Sequence, residues 1–221
     1  MTSTTIMQID PQDIEAESFR IIAEEFSERT SLQVTDLDPA RFKIIQRVIH
    51  ATGDFNFAQT LEFHPDAIAT AIQKIKAGKN ILTDVTMSAT GISKPLLAPW
   101  GGSVLCKLGD QDIAEQAKAS GMSRSETAIA RGLQENIGIV VIGNAPTALL
   151  KVMELLDAMP AAERPVVIGV PVGFVNAAES KEILAGKDYP FITSRGRKGG
   201  SPVAAAIINA ILKIVKNDQT T

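Results

Sequence analysis

Hydrophobic residues recur at helical spacing through the first part of the chain. One set of apolar positions predicts a helix over about residues 11–27: Ile14, Ile21, Ile22 and Phe26. Asp38 and Pro39 are typical of an N-cap and a first helical position. They predict a second helix that ends around His50 to Gly53, with a set of inward-facing residues: Phe42, Ile45, Val48 and Ile49.

Short apolar runs alternate with helical segments in the rest of the chain. Residues 55–63 look irregular or strand-like, and Pro65 begins a helix that we expect to end at Gly78. Five apolar runs predict strands: Ile81–Val85, Val104–Leu108, Ile139–Ile142, Val166–Val170 and Phe191–Thr193. Helices are expected between or after them: Ile113–Ala119, Glu126–Gln134, Ala148–Ala158, Ala178–Leu184 and Val203–Val215. This alternation predicts an α/β fold, with a mainly parallel sheet flanked by helices and a helical N-terminal portion.

Composition favours one globular domain over residues 1–221, because the chain has 221 residues, 45% of them hydrophobic, and no internal repeat or flexible linker. A formal charge of -3 argues against a general nucleic-acid binder. The lone cysteine, Cys106, fits a reducing compartment. The first ten residues lack the pattern of a signal peptide, and no apolar run approaches the roughly 18 residues of a membrane helix. We therefore expect a cytoplasmic protein with no membrane or nucleic-acid partner.

Four distinctive segments follow predicted strands. They are Thr83–Met87, Gly143–Thr147, Pro171–Asn176 and Ser194–Ser201. Ligands in open α/β sheets bind beyond the carboxyl ends of the strands, so these segments are expected to converge on one rim.

The last of these segments indicates an anionic ligand. Ser201 and Pro202 are interpreted as an N-cap and a first helical position, and helix N-termini attract anions. Arg195, Arg197 and Lys198 add three cations. The lysine precedes both closing glycines, so the segment is not a phosphate-binding P-loop, and carboxylates and phosphates stay equal candidates. The alternative is a solvated basic turn.

Three other candidates each have a plainer alternative. Asp84 is either a site acid or the cap of the turn that follows it. Asn144 lies in a segment typical of a tight turn between a strand and a helix. Arg124 follows Ser123, which has capping-box spacing to Glu126, and is either an anion partner at a helix start or a surface residue.

His50 is the sharpest single candidate for catalysis. It lies at the end of the second helix, where the helix dipole favours a protonated imidazole, and Arg47 is on the same face. These features predict a general acid near neutral pH, with a structural histidine as the alternative. His64, before Pro65, is expected to cap a helix. Two histidines and one cysteine make a zinc site improbable.

The chain resembles the precorrin-8X methylmutases of corrin biosynthesis, including the cobalt-precorrin-8 forms. The likeness runs from about Ser18 to the last helix. It is carried by several ordered stretches: Arg47–Gly53 (RVIHATG), Gly143–Leu149 (GNAPTAL), Pro171–Lys181 (PVGFVNAAESK) and Arg195–Ser201 (RGRKGGS).

The resemblance implies a methyl shift from carbon eleven to carbon twelve of ring C, without a cofactor, giving a cobyrinate or hydrogenobyrinate skeleton. It implies that His50 is the proton donor, that cationic and polar groups hold the peripheral carboxylates, and that the protein is a homodimer. The tetrapyrrole substrate and the corrin product would then be its small-molecule partners. Taken together, the candidate binding residues are Ser18, Arg47, Asp84, Arg124, Asn144, Arg195, Lys198 and Ser201.

Two other functions compete with this isomerase. A corrinoid carrier would bind the tetrapyrrole without converting it, and would need no imidazole at the edge of its site. A nucleotide-dependent α/β enzyme would be expected to carry a glycine fingerprint near the first strand, which Asn80–Gly91 lacks.

Overall fold

A computed structural model describes residues 8–218, and its central feature is a six-stranded sheet. The strands are β1 (Leu61–Phe63), β2 (Asn80–Thr83), β3 (Val104–Leu105), β4 (Ile137–Ile142), β5 (Val166–Gly169) and β6 (Phe191–Ser194). Their order across the sheet is β1-β6-β5-β4-β2-β3. Every pairing is parallel except that of β1 with β6, so the predicted α/β fold with a mainly parallel sheet is confirmed.

Eleven helices surround this sheet in the described part of the chain. They are α1 (Ile14–Thr30), α2 (Pro39–Thr52), α3 (Phe57–Thr60), α4 (Ala67–Lys76), α5 (Thr86–Gly91), α6 (Lys94–Leu97), α7 (Gln111–Ser120), α8 (Arg124–Gly132), α9 (Pro146–Asp157), α10 (Ala177–Ala185) and α11 (Ser201–Asn217). Short 3₁₀ turns lie at Val34–Asp36, Ala98–Trp100 and Ala161–Glu163. Within residues 8–218, no helix is both long and apolar enough to cross a membrane. Residues 1–7, which belong to the N-terminal segment predicted to lack a signal peptide, lie outside the described residues.

The sheet is buried on both faces, which explains why its strands read as continuous apolar runs. Ile139 and Val141 of β4 point into the core that contains α2, α4 and α11. Val140 and Ile142 point the other way, into the core that contains α9. Successive side chains of one strand therefore supply both cores, as the two-residue period of a strand requires.

Helix α11 is the centre of the larger core and packs most extensively on α2. It is buried around most of its circumference, since residues from all sides of the helix are inaccessible: Val203, Ala204, Ala206, Ile207, Ile208, Ile211, Leu212 and Val215. Alanines on α11 allow neighbours to approach closely. A side chain at Gly91 of α5, for example, would meet Ala205 at 2.8 Å. The predicted helical N-terminal portion, α1 and α2, covers this core.

The structure departs from the sequence interpretation in three places. Residues 55–63 were expected to be irregular or strand-like, and the edge strand β1 confirms the strand-like part, while Phe57–Thr60 form an unexpected helical turn. Helices α5 and α6 were missed because they are only six and four residues long, too short for a periodic pattern. The N-cap of α11 is Gly200 rather than Ser201, because Gly200 has a φ of +112° and the helix begins at Ser201.

Candidate functional site

The candidate site lies at the carboxyl ends of the parallel strands, where the strand order reverses. From β2 the chain moves outward to β3, and then crosses back to place β4 on the other side of β2. In open α/β sheets the crevice at such a reversal is the usual ligand site.

Asp84, directly after β2, joins the two strands that flank this reversal. Its carboxylate accepts hydrogen bonds from the backbone N–H groups of Gly143 (3.0 Å), Asn144 (2.8 Å) and Ala145 (2.8 Å). Asp84 is 0% exposed, and this burial raises the pKa of its carboxyl, an effect that the N–H groups oppose. Of the two roles left open by the sequence, the geometry matches a cap, but on the loop after β4 rather than on the turn that follows Asp84. Because this carboxylate is buried and already accepts three hydrogen bonds, Asp84 has no exposed oxygen for direct contact with a ligand.

The loop after β4 lies tightly against the start of α11. A side chain at Gly143 would come within 2.7 Å of Ser88 Oγ and 2.9 Å of Ser201 Cα, so only glycine fits there. Ser88 of α5 donates a hydrogen bond to Ser201 Oγ at 3.0 Å, and both residues are buried. Ser201 thus connects α5, the loop after β4 and the start of α11.

The loops after β5 and β6 are also joined. Gly200 donates its N–H to Val170 O (2.8 Å), and Gly173 donates to Arg197 O (3.2 Å). Gly199 has a φ of +158°, and a side chain there would collide with Val170 O. The predicted convergence of the four segments on one rim is confirmed.

His50 lies at the exposed C-terminal end of α2. The helix ends at Gly53, which has a φ of +66° and donates its N–H to Ile49 O at 2.7 Å. The ring of Phe19, on α1, meets the imidazole edge-on with the ring centres 5.4 Å apart. One side of the imidazole therefore contacts an aromatic ring, while the residue as a whole is open to solvent.

Arg47 lies near this histidine, as the sequence predicted, since both side chains contact the Phe19 ring. The Arg47 guanidinium lies 5.0 Å from the centre of the Phe19 ring, and its Nη2 is 3.0 Å from Glu15 Oε1. Ser18, next to Phe19, is half-buried and donates to Ile14 O at 2.7 Å. Phe19 therefore holds together the candidate acid and the neighbouring cation.

Two cations of the segment after β6 are exposed and paired with carboxylates. Lys198 Nζ lies 2.6 Å from Asp54 Oδ2 and lowers the pKa of that carboxyl. Arg195 donates through Nε to Glu62 Oε1 at 2.7 Å, and this contact raises the pKa of Arg195. Because Asp54 follows Gly53, the Lys198 pair brings this segment to the end of the helix that carries His50.

Arg124 and Asn144 are exposed at helix starts on the other side of the reversal. Arg124 is the first residue of α8 and donates to Leu108 O at 3.0 Å, while the predicted capping box of Ser123 and Glu126 is present. The backbone N–H of Asn144 is held by Asp84, and its side chain faces solvent.

Large apolar side chains are exposed at the start of α5 and on the loop after β5. Met87 is 69% exposed, Phe174 83% and Val175 77%, and Val172 is also exposed. The Arg197 guanidinium lies 5.2 Å from the centre of the Phe174 ring. Exposed apolar side chains such as those of the loop after β5 are typical of a surface that another molecule covers.

The other histidine lies at the opposite end of the sheet. The backbone N–H of His64 donates to the carbonyl oxygen of Phe191, the first residue of β6. The imidazole Nδ1 of His64 accepts a hydrogen bond from the backbone N–H of Asp66, just before α4, at 3.2 Å. It lines a cavity of about 450 Å³ together with Arg41 and Phe63. The capping role predicted for His64 fits this contact.

Sequence reasoning missed several residues of this rim: Phe19, Asp54, Glu62, Ser88 and Lys181. Only Asp54 gave a usable signal, since it follows the glycine that ends α2. The others depend on contacts between segments far apart in the chain, which spacing does not reveal.

Comparison with known proteins gives a consistent result. A family model described as precorrin-8X methylmutase matches residues 13–214. The cobalt-precorrin-8 methylmutase of Priestia megaterium is 42% identical over 206 residues, covering 93% of this chain and 88% of that protein. The precorrin-8X methylmutase of Pseudomonas aeruginosa is 43% identical over 173 residues, covering 76% and 82%. A precorrin-8X methylmutase structure from Thermus thermophilus superimposes with a TM-score of 0.81 at 32% identity, covering 93% and 98%.

The Asp84 contacts generate a prediction about stability. Asp84→Asn keeps the size of the side chain but replaces one of the two acceptor oxygens with an NH₂ group. The N–H donors of that group would face the N–H donors of the loop. We expect the free energy of unfolding to fall by about 1–3 kcal/mol in urea denaturation, because buried N–H groups lose their partner. Asp110→Asn is the matched control, since Asp110 is exposed and its side chain makes no capping bond to α7. Equal stability of the two variants would contradict this role of Asp84.

Proposed function

Because this chain belongs to the precorrin-8X methylmutase family, we propose that His50 is the proton donor of the methyl shift. The chain is an isomerase of corrin biosynthesis. The observation that carries the proposal is the placement of His50: it is exposed at the end of α2, next to the rim where the four loops converge. His64 lies at the far end of the sheet.

The chemistry we propose is internal to the macrocycle. The bond between the methyl group and carbon eleven breaks as its bond to carbon twelve forms. Protonation of the conjugated ring system by His50 would make the ring more electron-poor and so favour this migration. An isomerisation leaves the molecular formula unchanged, so the proton must return to the imidazole before the next turnover. Cobalt, where the substrate carries it, is held by the four nitrogens of the macrocycle and belongs to the substrate.

The peripheral carboxylates are proposed to be held by the exposed cations of the rim. Lys198 and Arg195 each pair with a carboxylate of the protein, Asp54 and Glu62. These pairs keep the cations in place, and a substrate carboxylate can exchange with the internal one. Ser18 and Arg124 complete the proposed polar contacts, and Arg47 lies near the acid. Ser201 is buried and contributes indirectly, by holding the start of α11 against α5. Asp84 acts indirectly by holding the backbone of Asn144, and Asn144 is proposed to line the floor of the site.

We further propose that the enzyme works as a cytoplasmic homodimer of single-domain subunits. A corrin is wide and flat, and the rim of one sheet offers a wall on only one side. The exposed apolar residues of the rim, Met87, Phe174 and Val175, are the surface that a second copy would cover. The lone cysteine, Cys106, suits a reducing compartment.

Replacing His50 tests the proposed acid. His50→Asn keeps the approximate shape of the ring and removes its titratable proton. We expect turnover to fall by roughly 10²–10⁴-fold, while the affinity for hydrogenobyrinic acid, followed by absorbance, stays near that of the native protein. His64→Asn is the matched control and should keep native turnover. Full activity of His50→Asn would remove the histidine from the mechanism, and binding without any turnover by the native protein would favour a carrier.

Replacing the rim cations tests the carboxylate contacts. Arg195→Ala and Lys198→Ala should each weaken binding of hydrogenobyrinic acid, by on the order of 1–3 kcal/mol, and the loss should shrink as salt rises. The lysine variant should lose less, because an ammonium binds a carboxylate at one point rather than as a fork. Lys187→Ala is the control, since Lys187 also forms an ion pair, with Asp157, but away from the rim. Native affinity in the Arg195→Ala, Lys198→Ala double variant would mean that other groups hold the carboxylates.

The proposed dimer is tested by light scattering at micromolar concentration. We expect a mass twice the 23.6 kDa of one chain. Phe174→Ser should shift the mass toward that of one chain, because it removes an apolar group from the proposed interface. Phe55→Ser is the control for folding, because Phe55 is a partly buried aromatic residue that packs against the core that includes α1 and α2. A change in mass that Phe174→Ser causes and Phe55→Ser does not is a loss of association rather than a loss of folding. A native protein of 23.6 kDa would overturn the dimer.

A further inference from the structure

Lys181 is a buried lysine in α10 that the proposed mechanism does not use. It is 1% exposed, although lysine is among the residues most rarely found fully buried. Among residues 8–218, no carboxylate forms an ion pair with its ammonium group. A cation in this position costs free energy of desolvation, so a specific role is expected.

The ammonium group of Lys181 binds the loop that follows β6. We call residues Arg195–Gly200 the basic loop. Lys181 Nζ donates to the carbonyl oxygen of Lys198 at 2.6 Å and to Ser194 Oγ at 3.3 Å, and Ser194 Oγ donates to the same carbonyl at 3.0 Å. The carbonyl oxygen of Lys198 therefore accepts hydrogen bonds from two side chains, those of Lys181 and Ser194.

The basic loop needs such support because its own backbone is permissive. Gly196, Gly199 and Gly200 all have positive φ angles, in regions that side chains disfavour. Glycines at these positions let the loop turn, but they leave many conformations open to it when nothing else restrains it. Restraint has to come from outside the loop: Val170 and Gly173 bind its backbone at Gly200 and Arg197, and Lys181 binds it at Lys198, between the glycines.

A chain of contacts then leads from Lys181 to the end of α2. The side chain of Lys198 binds Asp54 at 2.6 Å, and Asp54 lies four residues beyond His50. One residue, Lys198, is thus fixed through its carbonyl by Lys181 and through its ammonium by Asp54.

We propose that Lys181 is a positioning residue of this methylmutase: it fixes the Lys198 carbonyl and so aims the Lys198 ammonium at a carboxylate of the substrate. Lys181 does not touch the substrate itself. This inference rests on the proposed carboxylate-binding role of Lys198 and deepens it, because it explains how a glycine-rich loop presents a cation in one place.

The surroundings of Lys181 make its proposed role dependent on pH. Burial lowers the pKa of Lys181 to about 8. The charged groups beside it line a cavity of about 290 Å³: Glu62 of β1, Glu182 of its own helix and Arg195 of the basic loop. Helix α9, packed on α10, carries charges that are paired elsewhere: Lys151 with Glu154, and Asp157 with Lys187.

The sign of the effect follows from linkage. A bound polycarboxylate adds negative charge near Lys181 and favours its charged form, so the pKa of Lys181 is higher in the complex than in the free protein. The affinity for the corrin is then highest below about pH 8 and falls as the pH rises above that value.

Lys181→Met is the test, because methionine keeps the length and apolar character of the side chain and lacks the donor. We expect hydrogenobyrinic acid to bind about 10–100-fold more weakly at pH 7, by analogy with the loss of a charged hydrogen bond. The fall in affinity above pH 8, present in the native protein, should disappear. KM should rise more than kcat falls. The midpoint of thermal unfolding should stay the same or rise, because a buried charge has been replaced by an apolar group.

Three further variants separate positioning from packing. In the double variant Lys181→Met, Lys198→Met, binding should be no weaker than in Lys198→Met alone, since the first lysine acts through the second. Lys187→Met, in the segment just after α10, should behave as the native protein. If Lys181→Met does not fold, Lys181→Gln retains a neutral donor and should fold with a flat pH profile between 7 and 9.

The outcomes distinguish this inference from the function on which it rests. A native protein that turns over its substrate, together with native affinity and an unchanged pH profile in Lys181→Met, would overturn the positioning role alone. Additive losses in the double variant would overturn it as well. Failure of the native protein to convert any precorrin-8 substrate would instead overturn the proposed function.

Discussion

A buried carboxylate at the reversal of strand order joins the end of one central strand to the loop that follows its neighbour. Asp84 comes from the end of β2 and binds three consecutive N–H groups of the loop after β4. Those groups would otherwise be buried without partners, and the carboxylate would be buried without donors, so each side needs the other. The close approach of Gly143 to Ser201, the beginning of α9 at Pro146 and the placement of Asn144 all follow from this loop being fixed.

Much of this architecture could be predicted from sequence because burial on both faces leaves a clear signal. Runs such as Ile139–Ile142 and Val166–Val170 are continuous and β-branched, and they became β4 and β5 with ends shifted by one or two residues. Strand β1 gave no such signal, since it has three residues and one of them is Glu62. The carboxyl-end rule predicted that the four loops would meet.

The details of the site were less accessible to sequence reasoning. Nothing in the spacing of Lys181 tells a buried ammonium from an exposed one, because α10 has no strongly one-sided pattern and the contact partner, Lys198, is seventeen residues away. The pairing of Lys198 with Asp54 joins residues 144 positions apart. The chain as a whole carries a net charge of -3, so long-range attraction contributes little to capture of a polyanion. Binding must depend on the local arrangement of a few cations, and that arrangement is a property of the tertiary structure.

The central position of α11 has a consequence for how the protein is made. Its main packing partner is α2, so the largest helix contact joins the first quarter of the chain to residues 201–217. During synthesis, α2 emerges from the ribosome long before the helix that buries its apolar face exists, and α1, which packs on α2, emerges with it. That face remains open to water, and to chaperones, until translation has passed α11. A message truncated shortly before residue 201 would therefore yield a chain with every strand of the sheet and no centre for its larger core, which quality-control proteases would recognise by its exposed apolar surface.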